Sequence, residues 1–157
     1  MLDLWLTCLT AHRTWRNDVY KHILLPTDGS ELSMQGVEQG MALAKALNSK
    51  VTVIMVALPY PLMHPAPGET WRKSQHDAAE AAFKTIKDMA KASGIEVSTI
   101  TSVNESPADA IVEAAEQQGC DLIMMSSHGR RGVRRLLLGS QTAAVVSHSP
   151  VSVVIVR

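Results

Sequence analysis

Short apolar runs alternate with longer stretches in which apolar residues recur every three or four positions. His22–Pro26 (HILLP) reads as a short strand closed by proline. Ser30–Leu47 carries Met34, Val37, Met41, Ala44 and Leu47 at helical steps, so it predicts an amphipathic helix that Asn48 and Ser49 end. Val51–Val56 (VTVIMV) is rich in β-branched residues and predicts a second buried strand. Ala57–Gly68 holds four prolines and a glycine and reads as a long exposed loop. Glu69–Ser93 predicts a long helix with Ala78, Ala82, Ile86 and Met89 on its buried face and Gly94 as its stop. Ile95–Val103 is a third strand with partial alternation, Ile95, Val97 and Thr99 falling on one side. Ser106 as cap and Pro107 in the first turn start a helix that runs to about Gln118, closed by Gly119. Leu122–Met125 is a fourth strand, Ser140–Ser147 a last helix, and Val151–Val156 (VSVVIV) a fifth strand after Pro150.

Strands that alternate with helices at this spacing, and that are apolar throughout rather than every second residue, imply a parallel sheet covered on both faces. The expected architecture is a doubly wound α/β fold of five strands. In such sheets ligands sit beyond the carboxyl ends of the strands, where the strand order reverses. Attention therefore falls on the residues after Pro26, Val56 and Met125.

Length and composition fit that picture. The chain has 157 residues, room for one domain with a sizeable core. Fifteen basic and fifteen acidic residues give a net charge of zero, which argues against bulk electrostatic binding to nucleic acid or an anionic membrane. Any anion site must be a local cluster. Cys8 and Cys120 lie far apart, without metal-ligand spacing, so neither a disulfide framework nor a zinc site is expected, and a reducing cytoplasm fits. No apolar run is long enough to span a membrane. Residues 1–18 lack the strand–helix rhythm and read as an extension outside a domain of residues 19–157. The acidic Asp3 precedes and Arg13 and Arg16 follow their apolar part, the reverse of a secretory signal. A short surface-lying helix and a misassigned start before Val19 both remain open.

Two stretches carry candidate chemistry. After the first strand comes Pro26-Thr27-Asp28-Gly29-Ser30. Gly29 permits a tight turn, Ser30 or Ser33 can cap the next helix, and Glu31 suits its dipole. Asp28 is either a turn residue bonding local amides or an acceptor for a ligand's base or ribose. After the fourth strand comes SSHGRRGVRRLLLGSQ, Ser126 to Gln141, with Gly129, Gly132 and Gly139 and four arginines. Gly139 and Ser140 open a helix whose first amides lack intrahelical partners, and phosphate is their natural occupant. Arg130, Arg131, Arg134 and Arg135 supply charge nearby, although at least two of them read equally as a solvated basic face. There is no GxxxxGK[ST] and no GxGxxG in the first βα unit, which excludes the common nucleotide-hydrolase loop and disfavours dinucleotides. No catalytic nucleophile stands out, and His128 reads as a structural hydrogen-bond partner or an acid–base group.

These stretches resemble the universal stress protein family. The resemblance covers Tyr20 to Arg157 and rests on HILLPTDGSELS, DLIMMSSHGRRG, LLLGSQT and SPVSVVIVR. The family's ATP-binding branch carries glycine, two residues, glycine, nine residues, then glycine and serine or threonine. Gly129, nine residues, Gly139 and Ser140 match the later part, while Ser126 replaces the first glycine.

The resemblance implies that Asp28, with Pro26 and Thr27 beside it, contacts adenosine, that Val56 lines the base pocket, and that Met125 packs by the nucleotide. Gly129, Gly139, Ser140 and Gln141 match phosphate-binding positions, and Ser126, His128, Arg130 and Gly132 share the same loop. It further implies strand order 3-2-1-4-5 in an adenine nucleotide alpha hydrolase-like fold. A homodimer through Val151–Val156 and magnesium or manganese bridging the phosphates follow from it too. The expected function is an ATP-binding stress-response regulator with at most slow hydrolysis, since neither a lysine nor a general base is evident. The alternative, suggested by Ser126, is a dimeric interaction module that binds no nucleotide. A hydrolase built on His128 or Asp28 is a third reading.

Overall fold

A computed structural model describes residues 19–61, 67–127 and 138–157. In chain order the elements are β1 (His22–Pro26), α1 (Glu31–Leu47), β2 (Lys50–Ala57), α2 (Gly68–Ser93), β3 (Val97–Val103), α3 (Pro107–Gln117), β4 (Leu122–Ser126), α4 (Ser140–His148) and β5 (Ser152–Val156). The strands form one sheet in the order β3-β2-β1-β4-β5, every neighbouring pair parallel. This is the doubly wound architecture that the apolar pattern implied.

Two cores sandwich the sheet. On one face Ile23, Leu25, Val51, Val53 and Met124 meet Val37, Met41 and Ala44 of α1 and Phe83, Ile86 and Ala90 of α2. On the other, Leu24, Ile54, Ile123 and Met125 meet Ala108, Ile111 and Ala115 of α3 and Val145 of α4. Alternate residues of β1 thus feed opposite cores, which is why its run is apolar throughout.

The helix ends follow local chemistry. Ser30 caps α1 by accepting from the Ser33 amide, and Asn48 closes it in the left-handed region at φ 56°. Gly94, at φ 70°, ends α2. Ser106 caps α3 by accepting from the Asp109 amide, with Pro107 in its first turn.

The structure corrects two details of the pattern. The buried stripe of α2 is Ala79, Phe83, Ile86 and Ala90; Ala78 is exposed, while Ala82 and Met89 are only partly buried. The bulk of Phe83 sets the helix's rotation. Strand β3 begins at Val97, because Ile95 is used to close α2, its amide bonding the Ala90 carbonyl at 3.0 Å.

At the amino end of the sheet, Asp121 joins β1 to β4. Its carboxylate accepts from the amides of Lys21 (2.8 Å) and His22 (3.0 Å). Next to it Cys120 is buried, 4% exposed. Burial, and secondarily the Asp121 charge, push its thiol up from 9.0 to about 11. A raised folded-state pKa means that the native state holds a proton the unfolded state loses first. Its contribution to stability is therefore complete below pH 9.0 and is lost as pH rises towards 11. Urea unfolding between pH 8 and 11 checks this: the stability of the parent should fall more steeply than that of Cys120→Ala, and parallel curves would refute it.

Candidate functional site

Strands β1 and β4 are neighbours, and their connections leave for opposite faces, so their carboxyl ends open the crevice at which the strand order reverses. The residues after each strand build its walls.

After β1, the Thr27 amide still bonds the Ile54 carbonyl at 2.9 Å, holding the chain against β2 for one more residue. Thr27 is 5% exposed, and its hydroxyl lies 2.9 Å from that of Ser33. Gly29 turns the chain at φ 76°, in the left-handed region where a side chain would be strained, and its amide donates to Thr27 Oγ1 at 3.1 Å. Asp28 Oδ1 accepts from both the amide (3.0 Å) and the hydroxyl (2.6 Å) of Ser30. The Ser30 hydroxyl in turn accepts from the Ser33 amide at 3.3 Å. One serine thus caps α1 and holds the aspartate. The structure shows the local bonding of Asp28 and places the residue half-buried at the carboxyl end of β1. Pro26 is buried at the end of that strand.

After β2, Val56 is half-buried and packs with Met125 into the core beneath α3 and α4. The structure thereby places Asp28, Val56 and Met125 at one end of the sheet.

After β4, the chain is held at both ends of the loop. The Ser127 amide donates to the Val156 carbonyl at 2.8 Å, and the Ser127 carbonyl accepts from the Gly139 amide at 2.9 Å. Thr142, 3% exposed, donates its hydroxyl to the carbonyls of Ser126 (3.2 Å) and Ser127 (3.3 Å). His128, Gly129, Arg130 and Gly132, with Arg131, Arg134 and Arg135, lie outside the described residues. Gly139 is the N-cap of α4 and offers no side-chain acceptor to its first turn, so that turn suits an anion rather than a cap of the protein's own. Ser140 is exposed there. The Gln141 Oε1 accepts from the Ala108 amide of α3 at 3.0 Å. Its side chain ties α4 to α3, and its main chain stays in the first turn.

Sequence reasoning missed Thr142 and Gly36. A Cβ on Gly36 would lie 3.1 Å from the Ser126 nitrogen and 3.5 Å from Ser126 Cβ. The bare face of α1 at Gly36 therefore lies against the main chain of β4 at Ser126. The available signal was the pair of small residues Gly36 and Gly40, one turn apart, both buried on α1. Among the described residues no three of His, Cys, Asp and Glu cluster to hold a metal, and no helix is long and apolar enough to cross a membrane.

Fold and strand order together define a doubly wound α/β protein with a switch point between β1 and β4. The universal stress protein family model matches residues 19–157. Universal stress protein MJ0531 of Methanocaldococcus jannaschii is 35% identical over 142 residues, covering 87% of this chain and 83% of that protein. Among solved structures, UspA of Lactobacillus plantarum superimposes with a TM-score of 0.76 over 88% of this chain and 99% of its own, at 23% identity. A universal stress protein solved in complex with cAMP is 27% identical, with a TM-score of 0.70 over 88% of this chain and 98% of its own. The chain belongs to the universal stress protein family.

Proposed function

We propose that this protein binds an adenine nucleotide, ATP, in the crevice between β1 and β4 and acts as a nucleotide-dependent stress-response regulator with at most slow hydrolysis. The observation that carries the reading is the convergence of two unlike walls on one crevice. Asp28, Val56 and Met125 give a carboxylate and apolar surface for the adenosine part. The loop clamped at Ser127 and Gly139 leads into a helix start without a side-chain cap, which suits phosphate. Binding of cAMP by a relative of the same fold supports the ligand class.

Magnesium or manganese belongs to this reading as the companion of the phosphates, whose charge it neutralises when bound. The chain's own residues bind and orient. No described residue stands out as a base for water, so binding without fast turnover is expected. A homodimer through β5 completes the proposal.

Titration calorimetry tests it. ATP should bind with roughly micromolar affinity, about −8 kcal/mol. No heat and no thermal shift at millimolar ATP, with and without magnesium, would overturn the reading in favour of the interaction module.

A further inference from the structure

Helix α1 meets the site at two points. Its N-cap, Ser30, holds Asp28. One and a half turns further on, Gly36 lies against the main chain of β4 where the loop begins. A Cβ there would stand 3.1 Å from the Ser126 nitrogen and 3.6 Å from the Met125 carbonyl carbon. The Ser126–Ser127 segment is gripped from another element too, by Thr142 and Gly139 at the start of α4. A main chain held between two helices cannot give way on one side without disturbing the other.

We propose that Gly36 is a positioning residue for the ligand site: by leaving α1 without a side chain at this crossing, it sets the point from which the loop leaves β4 and hence where the start of α4 stands relative to Asp28. The inference rests on the nucleotide reading for its ligand, and on the geometry alone for its mechanism.

Gly40 supplies the matched control. It lies one turn along the same buried face of the same helix. The three atoms nearest a Cβ there all belong to the side chain of Leu25, the first two at 2.3 and 2.9 Å, and Leu25 is fully buried in the core. The two glycines therefore separate by what they press on. Gly40→Ala presses on a core side chain of β1 and not on main chain, which lowers stability. Gly36→Ala moves main chain at the site by a few tenths of an ångström, and the better helix propensity of alanine offsets the tight contact.

Both variants should be measured by thermal unfolding, by ATP titration, and by amide hydrogen exchange at Ser127, whose N–H bonds the Val156 carbonyl. Gly36→Ala should melt within about 2 °C of the parent, bind ATP about five- to tenfold more weakly and exchange faster at Ser127. Gly40→Ala should melt about 3–6 °C lower, with ATP affinity within about twofold of the parent and Ser127 exchange unchanged under native conditions. Affinity that falls in step with stability in both variants, or Gly36→Ala binding as the parent does, would overturn the proposal. A parent that binds no ATP removes the nucleotide reading and the ligand half of this inference. The exchange arm still decides the rest, because unchanged Ser127 exchange in Gly36→Ala refutes the positioning itself.

Discussion

Gly139→Val should reduce ATP affinity more than about 100-fold, roughly 2.7 kcal/mol, while adenosine affinity changes less than about threefold. The reasoning starts from the backbone. Gly139 sits at φ −58°, ψ 149°, a conformation open to any residue, so valine introduces no dihedral strain. The glycine is needed there for its missing side chain and not for a left-handed turn. As N-cap it stands directly before the first-turn amides of α4, and a branched side chain would cover them and exclude an anion. The loss of a glycine cap weakens the helix by a few tenths to about 1 kcal/mol, so the fold should survive. The Gly139 amide, bonded to the Ser127 carbonyl, and the Gly139 carbonyl, bonded to the Ala143 amide, are unaffected by the substitution. Calorimetry with ATP, ADP, AMP and adenosine separates the outcomes. A loss that grows with phosphate number locates the phosphates at α4. Equal losses for adenosine and ATP would mean general damage, and no loss would mean that the phosphates lie elsewhere.

The sheet was legible in the sequence because β1, β2, β4 and β5 are short, largely apolar runs, as a parallel sheet covered on both faces requires, while the edge strand β3 (VSTITSV) showed only partial alternation. The position of the candidate site was legible from the residues that follow the strands, Asp28 after β1 and Gly139 before α4, which the structure places at the carboxyl end of the sheet. What sequence could not reveal is what each side chain touches across the fold. Nothing in the sequence pointed to the side chain of Gln141 bonding Ala108, thirty-three residues away. Gly36 looked like an ordinary helix glycine until its neighbour proved to be the main chain of Ser126. Ile86 was placed correctly on the buried face of α2, but Ala78, Ala82 and Met89 each fell one position short of it, because alanine-sized or flexible residues were weighted above a single phenylalanine, and volume decides which side of a helix the core takes.

Val153→Pro should convert a homodimer into a folded monomer. Strand β5 lies at an edge of the sheet and pairs with β4, Val153 opposite Ile123. The Val156 carbonyl accepts from the Ser127 amide, so Val156 directs its main-chain groups towards β4. Direction alternates along a parallel strand, so Val154 and Ser152 share that side, while the N–H and C=O groups of Val153 and Ile155 point to the open edge. Such an edge, with no charge or proline within Ser152–Val156 and with Val154 37% exposed, invites pairing with another chain. An antiparallel, twofold-related copy of β5 satisfies both edges with one surface. Proline at 153 would remove an edge-facing donor and insert its ring where the partner strand must lie, yet it takes no bond from the β4 ladder. Melting of the monomer should therefore stay cooperative. Light scattering at tens of micromolar distinguishes the outcomes: a monomeric parent, or a Val153→Pro protein still fully dimeric, would each defeat the β5 interface, whereas a folded monomeric variant beside a dimeric parent would establish it.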